Sequence, residues 1–436
     1  MNERLALKRM IAELQERMRV FPDKRKGKNV KYAVGEVGMA AFSVFFMQNP
    51  SFLEHQRVMK ESTGRNNAER LFGLQSTPSD NEIRTLLDPV NPDGLSGMYR
   101  WVFEELDRGQ ILHGMRSYGN NLLAAIDGTW YFSSKEIHCA NCNSKELADG
   151  SQLYFHSLIT PVVVAPGNSH VVALEPEFIL PQDGHDKQDC EMQAAKRWIG
   201  KHARRYAGKG VTLLGDDLFS RQPFCQLLQD NHFHFILVCK PDSHPVLYET
   251  LDFLTQNGVL QTFSTRQWKG KQGEISTYRF ANQVPLRSGE EAITVNWCEI
   301  IVTQETSGKQ IYHNAFVTDF PLSDTTVADV VKDGRTRWKV ENENNNVLKT
   351  KGYHLEHNFG HGSQHLASLL LSLNLLAFLF HTVLDLVDEK YQKIRQALVR
   401  RTTFFHDLDA LTRYLVFDSW DQLFDFMFKN LKLDTS

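Results

Sequence analysis

A mixed α/β protein with helical ends is the fold class this sequence predicts, and three observations predict it. Short apolar and β-branched runs crowd residues 120–240, each closed by a turn signal or a carboxylate. Helical periodicity without strands marks both ends of the chain. Residues 241–325 return to strand-like segments separated by Gly and polar residues, with no helix long enough to continue an alternating pattern, and read as a β-rich insertion. At 436 residues, several domains are expected.

The elements follow in order. Met1 to Val20 carries mixed charge at helical spacing, and Asp23 to Lys28 forms a basic link. Gly38 to Gln48 is apolar and Phe-rich, and Asp80 to Leu87 reads as a helix capped after Thr77-Pro78-Ser79. Strands are expected at Leu122–Ile126, Leu153–Ala165 and Val171–Leu180, then a basic helix over Asp189–Tyr206. Val211–Gly215 and His234–Cys239 are buried-type strands flanking a helix at Gln222–Gln229. Thr277–Phe280, Ile293–Val302 and Ile311–Thr318 are the strands of the β-rich segment. Asp324–Lys351 and Ser363–Val399 read as helical, and the tail from Phe404 is aromatic and acidic. The divisions expected are therefore 1–118, 119–240, 241–325, 326–403 and 404–436.

Composition narrows the function. A hydrophobic content of 42% with 28 Phe excludes a disordered chain. With 49 Lys+Arg against 52 Asp+Glu, the net charge of −3 excludes nucleic-acid binding by bulk charge but not by local patches. Residues 1–32 hold 10 basic and 4 acidic side chains, a local 10 − 4 = +6. Lys196–Arg205 and Arg335–Lys351 are further basic stretches. Six cysteines and no apolar leader at Met1–Lys8 point to a reducing cytoplasm. Leu366–Phe380 is apolar but spans only 15 residues with polar interruptions, too short to cross about 30 Å of hydrocarbon, so no membrane is expected.

Three carboxylates stand out by context. Asp127 and Asp216 each end an apolar strand, where a side chain can leave the core and reach a shared cleft. Glu341 follows Arg337 by four residues on a helix, hence on the same face. Carboxylates drawn together repel unless a cation sits between them, and Mg²⁺ is bound by a few carboxylates with water and phosphate oxygens. The plainer reading is turn-capping Asp residues and a surface ion pair worth little.

Taken together, Asp127-Gly128-Thr129, Leu214-Gly215-Asp216-Asp217-Leu218-Phe219 and Arg337-Trp338-Lys339-Val340-Glu341 resemble the DDE transposases of bacterial insertion sequences. The resemblance covers roughly residues 120–385 and is closest to the subgroup whose ribonuclease-H-like core is interrupted by a β-rich insertion. It implies that Asp127, Asp216 and Glu341 hold two Mg²⁺ (or Mn²⁺) ions, with Asp216 preferred over Asp217 and Glu341 over Glu343. It also implies strand cleavage at transposon ends and strand transfer into target DNA, by a homodimer on paired terminal inverted repeats near the bacterial nucleoid. Arg337 would grip a DNA phosphate, and residues 1–118 would read the transposon ends. Two positions depart from the pattern: Gly334 stands where a tyrosine is expected, and Leu348 where a lysine is expected. Arg335, Lys349 or Lys351 are then expected to rebuild that grip, and Trp268 is a candidate for stacking on a flipped base. A domesticated nuclease of the same fold and a catalytically silent DNA-binding regulator are the alternatives.

A second constellation is His138-Cys139-Ala140-Asn141-Cys142 with His156 downstream. Cys and His at this spacing suit tetrahedral Zn²⁺, so Cys139, Cys142, His138 and His156 are candidate ligands of a structural zinc. His354, His357 and His361 fall in a Gly-flanked segment matching no zinc motif, which reads as a loop ending the Glu341 helix.

Overall fold

The computed structural model describes residues 3–25, 30–181, 190–270 and 272–434. Lys26 and Lys28 of the basic link lie outside them.

The apolar runs assemble two sheets. Strands β1 (Leu122–Ala125), β5 (Val162–Val164), β6 (Val172–Ala173), β8 (Val211–Gly215) and β9 (His234–Val238) are almost fully buried, as expected for strands covered on both faces. They join β10 (Gln261–Lys269), β11 (Gln272–Pro285), β12 (Thr294–Gln304) and β13 (Gln310–Thr318) in one nine-stranded sheet. Its order is β10-β11-β12-β13-β9-β8-β1-β5-β6, with β1, β8 and β9 parallel and the other pairs antiparallel. The β-rich segment thus extends the central sheet edgewise through β13 on β9. The small sheet is β2 (Gly128–Ser134), β4 (Gln152–Ile159) and β3 (Asn143–Glu146), with β7 (Glu177–Ile179) on β4.

Three expectations need correction here, the first being that Val171–Leu180 is one strand: it holds β6 of the large sheet and β7 of the small one, with Pro176 between them. Leu153–Ala165 is not one strand: Thr160-Pro161 breaks it, because proline cannot donate to a ladder, and its halves lie in different sheets. Residues 241–325 do contain a helix, Pro245–Gln256, whose buried Leu247 and Leu251 pack one face while Pro245 supplies a ready helix start.

The helices before the first strand are α1 (Leu7–Met18), α2 (Val34–Phe46), α3 (Phe52–Lys60), α4 (Ser62–Phe72), α5 (Asp80–Leu87) and α6 (Ser96–Arg108). Next come α7 (Glu191–Tyr206), α8 (Gln222–Asp230), α9 (Pro245–Gln256), α10 (Val327–Arg335) and α11 (Asn346–Thr350). The last four are α12 (Leu366–Val387), α13 (Glu389–Ala397), α14 (Arg401–Tyr414) and α15 (Trp420–Asn430). α2 and α12 are apolar on all sides and pack on each other, as helices without a polar face must. At 22 residues α12 is long and apolar enough to span a bilayer, so the sequence argument from length does not hold; 94% of its 18-residue apolar stretch is, however, buried within the fold.

The segment from Phe404 is also no loose tail. Phe404, Phe405, Leu408, Trp420 and Phe424 are core residues, and Trp420 Nε1 donates to the Leu71 carbonyl at 3.0 Å. First and last helices therefore share one core. The basic face of α7 is largely spoken for: Arg197 and Lys201 pair with Glu177, and Arg205 with the buried Glu175. It is not the open cationic stretch its sequence implies.

Candidate functional site

An acidic cleft forms where the chain changes sheets. β1 runs buried to Ile126; Asp127 then leaves the large sheet and Gly128 opens β2 in the small one. On the return, between β4 and β5, the Thr160 N–H donates to the Asp127 carbonyl at 3.2 Å. β8 lies parallel beside β1 with Leu122 opposite Val211 and Ala125 opposite Leu214. That offset is 211 − 122 = 89, and 216 − 127 is also 89, so the two aspartates leave neighbouring strands at the same level. Neighbouring strands run about 4.8 Å apart, which makes Asp127 and Asp216 lateral neighbours.

Asp217 points its chemistry elsewhere. Its carboxylate accepts from the Lys240 N–H at 2.7 Å and from the Ser243 hydroxyl, tying down the turn after β9.

Glu341 arrives on an irregular helix. The expected helix over 324–351 is broken into α10, a 3₁₀ turn at Thr336–Trp338, a π-helical turn at Val340–Asn345, and α11. Such π turns recur at functional sites because they re-aim a side chain within a continuous helix. Two buried asparagines pin this one: Asn344 Nδ2 donates to Thr160 Oγ1 at 3.2 Å, and the Thr160 hydroxyl donates to Asn345 Oδ1 at 3.1 Å. The same Thr160 holds the Asp127 backbone, so one residue links the Asp127 corner to the Glu341 turn. Arg337 Nη2 meets Glu341 Oε1 at 2.8 Å, while the buried Arg337 Nη1 has no partner among the described residues.

A fourth carboxylate, absent from the sequence argument, completes the cleft. Glu191 opens α7 and lies so close to Gly128 that a Cβ there would meet its Oε1 at 2.1 Å. Any side chain there would have to displace the Glu191 carboxylate. The single sequence signal was that glycine directly after Asp127.

The electrostatics reflect the crowding. Burial pushes the Asp127 carboxyl up to about 7, with Glu341, Glu191 and Asp216 adding and Arg337 opposing. Asp216 is likewise raised by burial and by Asp217, against the Leu218 N–H and Arg337. Burial and Asp216 raise Glu191. A cation among these oxygens would relieve both the burial of charge and the repulsion. The acids share a cleft but Glu341 is turned onto Arg337, so they are not closed into one ligand shell.

The expected DNA-contacting residues divide. Lys349 pairs with Glu356 at 3.0 Å and lines the same cleft as Gly128, Trp130 and Glu191. Arg335 is exposed, its guanidinium 4.3 Å from the centre of the Tyr312 ring. Lys351 is exposed at the end of α11. Trp268 is 64% exposed near the tip of the β10–β11 hairpin, at the far edge of the large sheet, with Arg266 over its ring. The departure at Gly334 has a steric cause: a Cβ there would meet Ile236 Cγ2 at 2.8 Å and the Phe316 ring at 2.9 Å, leaving no room for tyrosine.

The Cys/His constellation forms with one exchange. Cys139, Cys142 and His156 converge, but the fourth member is His361, from the loop set apart from metal chemistry by its spacing. His138 is not among them: its ring is exposed, stacks on Tyr154 at 4.3 Å, and has Nδ1 3.1 Å from the Glu136 carbonyl.

No known protein family matches the chain, and no curated protein is significantly similar to it in sequence.

Proposed function

We propose that the acidic cleft carries out cation-dependent phosphoryl transfer on DNA, as a transposase of the DDE type on a ribonuclease-H-like core. The observation that carries this reading is the placement of Asp127 and Asp216 just past the ends of adjacent parallel strands, within electrostatic reach of Arg337, whose partner Glu341 lies on a helical turn pinned to the same corner. Three antiparallel strands, β6-β5-β1, followed by the parallel β8 and β9, are consistent with the expected core.

Asp127, Asp216 and Glu341 offer hard oxygen donors suited to Mg²⁺ or Mn²⁺, and Glu191 stands beside them. A bound cation would supply Lewis-acid stabilisation of the charge that builds on the phosphate during attack. The chain's own contribution is positioning. Arg337 holds Glu341 through Nη2 and keeps a spare buried donor at Nη1. When Glu341 turns to complete the carboxylate set, the guanidinium is released with two parallel donors, the fork that suits a phosphate. Lys349, on the cleft wall, adds positive charge along the strand path.

The test uses the full-length chain and linear DNA carrying the sequences that flank its gene. Mg²⁺- or Mn²⁺-dependent strand cleavage is expected, with strand transfer when a target duplex is added. Asp127→Asn and Asp216→Asn are each expected to reduce cleavage by at least about 10³-fold. Undiminished cleavage by either variant would overturn the site. Cleavage without strand transfer would favour a domesticated nuclease, and binding without cleavage a silent regulator.

A further inference from the structure

The strongest assembly outside the acidic cleft is the convergence of Cys139, Cys142, His156 and His361. Cys139 and Cys142 sit in the β2–β3 connection, where the Cys142 N–H donates to the Cys139 carbonyl at 3.1 Å and closes a turn. His156 lies on β4 and is 1% exposed, and His361 lies in the 351–365 loop between Gly360 and Gly362. Both glycines have positive φ, +146° and +66°, and a Cβ on Gly362 would strike Asp88 Oδ1 at 2.1 Å. The loop is thus bent into a shape that delivers one imidazole.

The distances decide what the cluster is for. The two sulfurs are 3.8 Å apart, and His156 Nε2 is 3.4 Å from each. His361 Nδ1 lies 3.9 Å from Cys142 Sγ and 3.3 Å from His156 Nε2. A tetrahedral zinc with bonds of about 2.3 Å to sulfur and about 2.05 Å to nitrogen has edges of about 3.8 Å for S–S, 3.6 Å for S–N and 3.3 Å for N–N. Five of the six edges match to within a few tenths of an ångström, and all four ligand atoms, Cys139 Sγ and His361 Nδ1 included, lie within 4.8 Å of one another. A disulfide would need the sulfurs at about 2.05 Å and would leave two imidazoles crowded together without purpose.

We propose that these four side chains bind one Zn²⁺ in a closed S₂N₂ site that is structural. Two thiolates neutralise the ion, four protein ligands leave no open position, and the soft–borderline donor set selects zinc over Mg²⁺. The ring planes are set by packing: His156 stacks on Tyr131 at 5.4 Å, and His361 meets Phe132 edge-on at 4.1 Å. The ion clasps the 351–365 loop, which follows the Glu341 segment, to the small sheet, whose β2 begins directly after Asp127. Asn141 Nδ2 donating to the Gln364 carbonyl is a second stitch across that seam. The inference does not depend on the DNA chemistry proposed above.

The experiment is elemental analysis of untagged full-length protein, grown with zinc and purified without chelator, beside cobalt substitution. About one zinc per chain is expected, and Co²⁺ should give the intense visible ligand-field bands of tetrahedral coordination with a thiolate charge-transfer band. His361→Ala and Cys142→Ser should lose most of the zinc, whereas His138→Ala should keep it. Zinc near zero in the unmodified protein, a weak octahedral cobalt spectrum, or a Cys139–Cys142 disulfide in the fresh protein would each overturn the site. Zinc fully retained by His361→Ala, or lost by His138→Ala, would overturn the ligand set. Should Cys142→Ser fail to fold, the cobalt spectrum of the unmodified chain decides.

Discussion

Burial holds a proton on Asp127 up to about pH 7, while the unfolded chain gives it up near 3.8. In the cation-free protein that stability is fully present below the unfolded value and is lost as pH rises through about 7. After discounting for partial exposure the loss is on the order of 2 kcal/mol. Asp127→Asn should therefore raise the cation-free melting temperature by about 2 °C at pH 8 and by almost nothing at pH 4, by calorimetry, while abolishing activity. An equal gain at both pH values would remove the buried charge as its cause. A second residue-scale test is Gly334→Ala, whose new methyl meets Ile236 and Phe316. A stability loss of about 1–3 kcal/mol in denaturant titration is expected, as for other overpacked cores. At this scale strand-end carboxylates are legible in the sequence because apolar runs announce where they stop. Glu191 is not, since it reaches the cleft through its packing over Gly128, and no local pattern encodes that approach.

Thr160 sits between two elements that meet nowhere near each other in sequence, and it serves both. Its N–H holds the Asp127 corner and its hydroxyl holds Asn344 and Asn345 of the π turn. Thr160→Val keeps the N–H but takes one hydrogen bond from each of two buried amides, which keep only the bond between them (Asn344 Nδ2 to Asn345 Oδ1, 2.9 Å), at a cost of about 1 kcal/mol. Activity should fall more steeply than stability accounts for, with kcat lowered and KM for DNA little changed. A loss confined to KM would show that the turn does not position Glu341. The helix was readable over 324–351, but the π turn was not, because one extra residue per turn leaves the apolar spacing almost unaltered. Asn344-Asn345-Asn346 looked like a polar tract; two of the three are buried. The break at Pro161, in contrast, had a plain signal in the proline itself.

The whole molecule is joined by helices from its two ends. His381 on α12 donates from Nε2 to the Phe46 carbonyl at 2.9 Å, accepts from the Tyr391 hydroxyl at 2.8 Å, and stacks on Phe46. His55 is equally buried, against Ser43 and Asn49. Burial pushes each imidazole down to about 3. With folded values below the unfolded 6.5, their contribution is present above 6.5 and is lost as pH falls from there toward 3, by about 2 kcal/mol each at pH 5. Urea titrations should show stability falling between pH 7 and 5, with a shallower slope in His381→Gln. An unchanged slope would exclude His381 as a source. DNA binding, if it follows the cleft, should weaken steeply with salt despite the net charge of −3, because only local cations meet phosphate.

Composition, strand and helix periods and the endings of apolar runs are local properties, and they sufficed for the α/β class with helical ends, for the buried strands that stop just before Asp127 and Asp216, and for the closeness of Cys139 to Cys142. What they could not reach was any pairing made across the chain: His361 in place of His138 in the Cys/His cluster, Glu191 over Gly128, Arg197, Lys201 and Arg205 of α7 paired with Glu175 and Glu177, and the C-terminal helices folded into the first core. Each joins distant residues through burial and packing, and a linear pattern carries no record of which distant surface a side chain will meet.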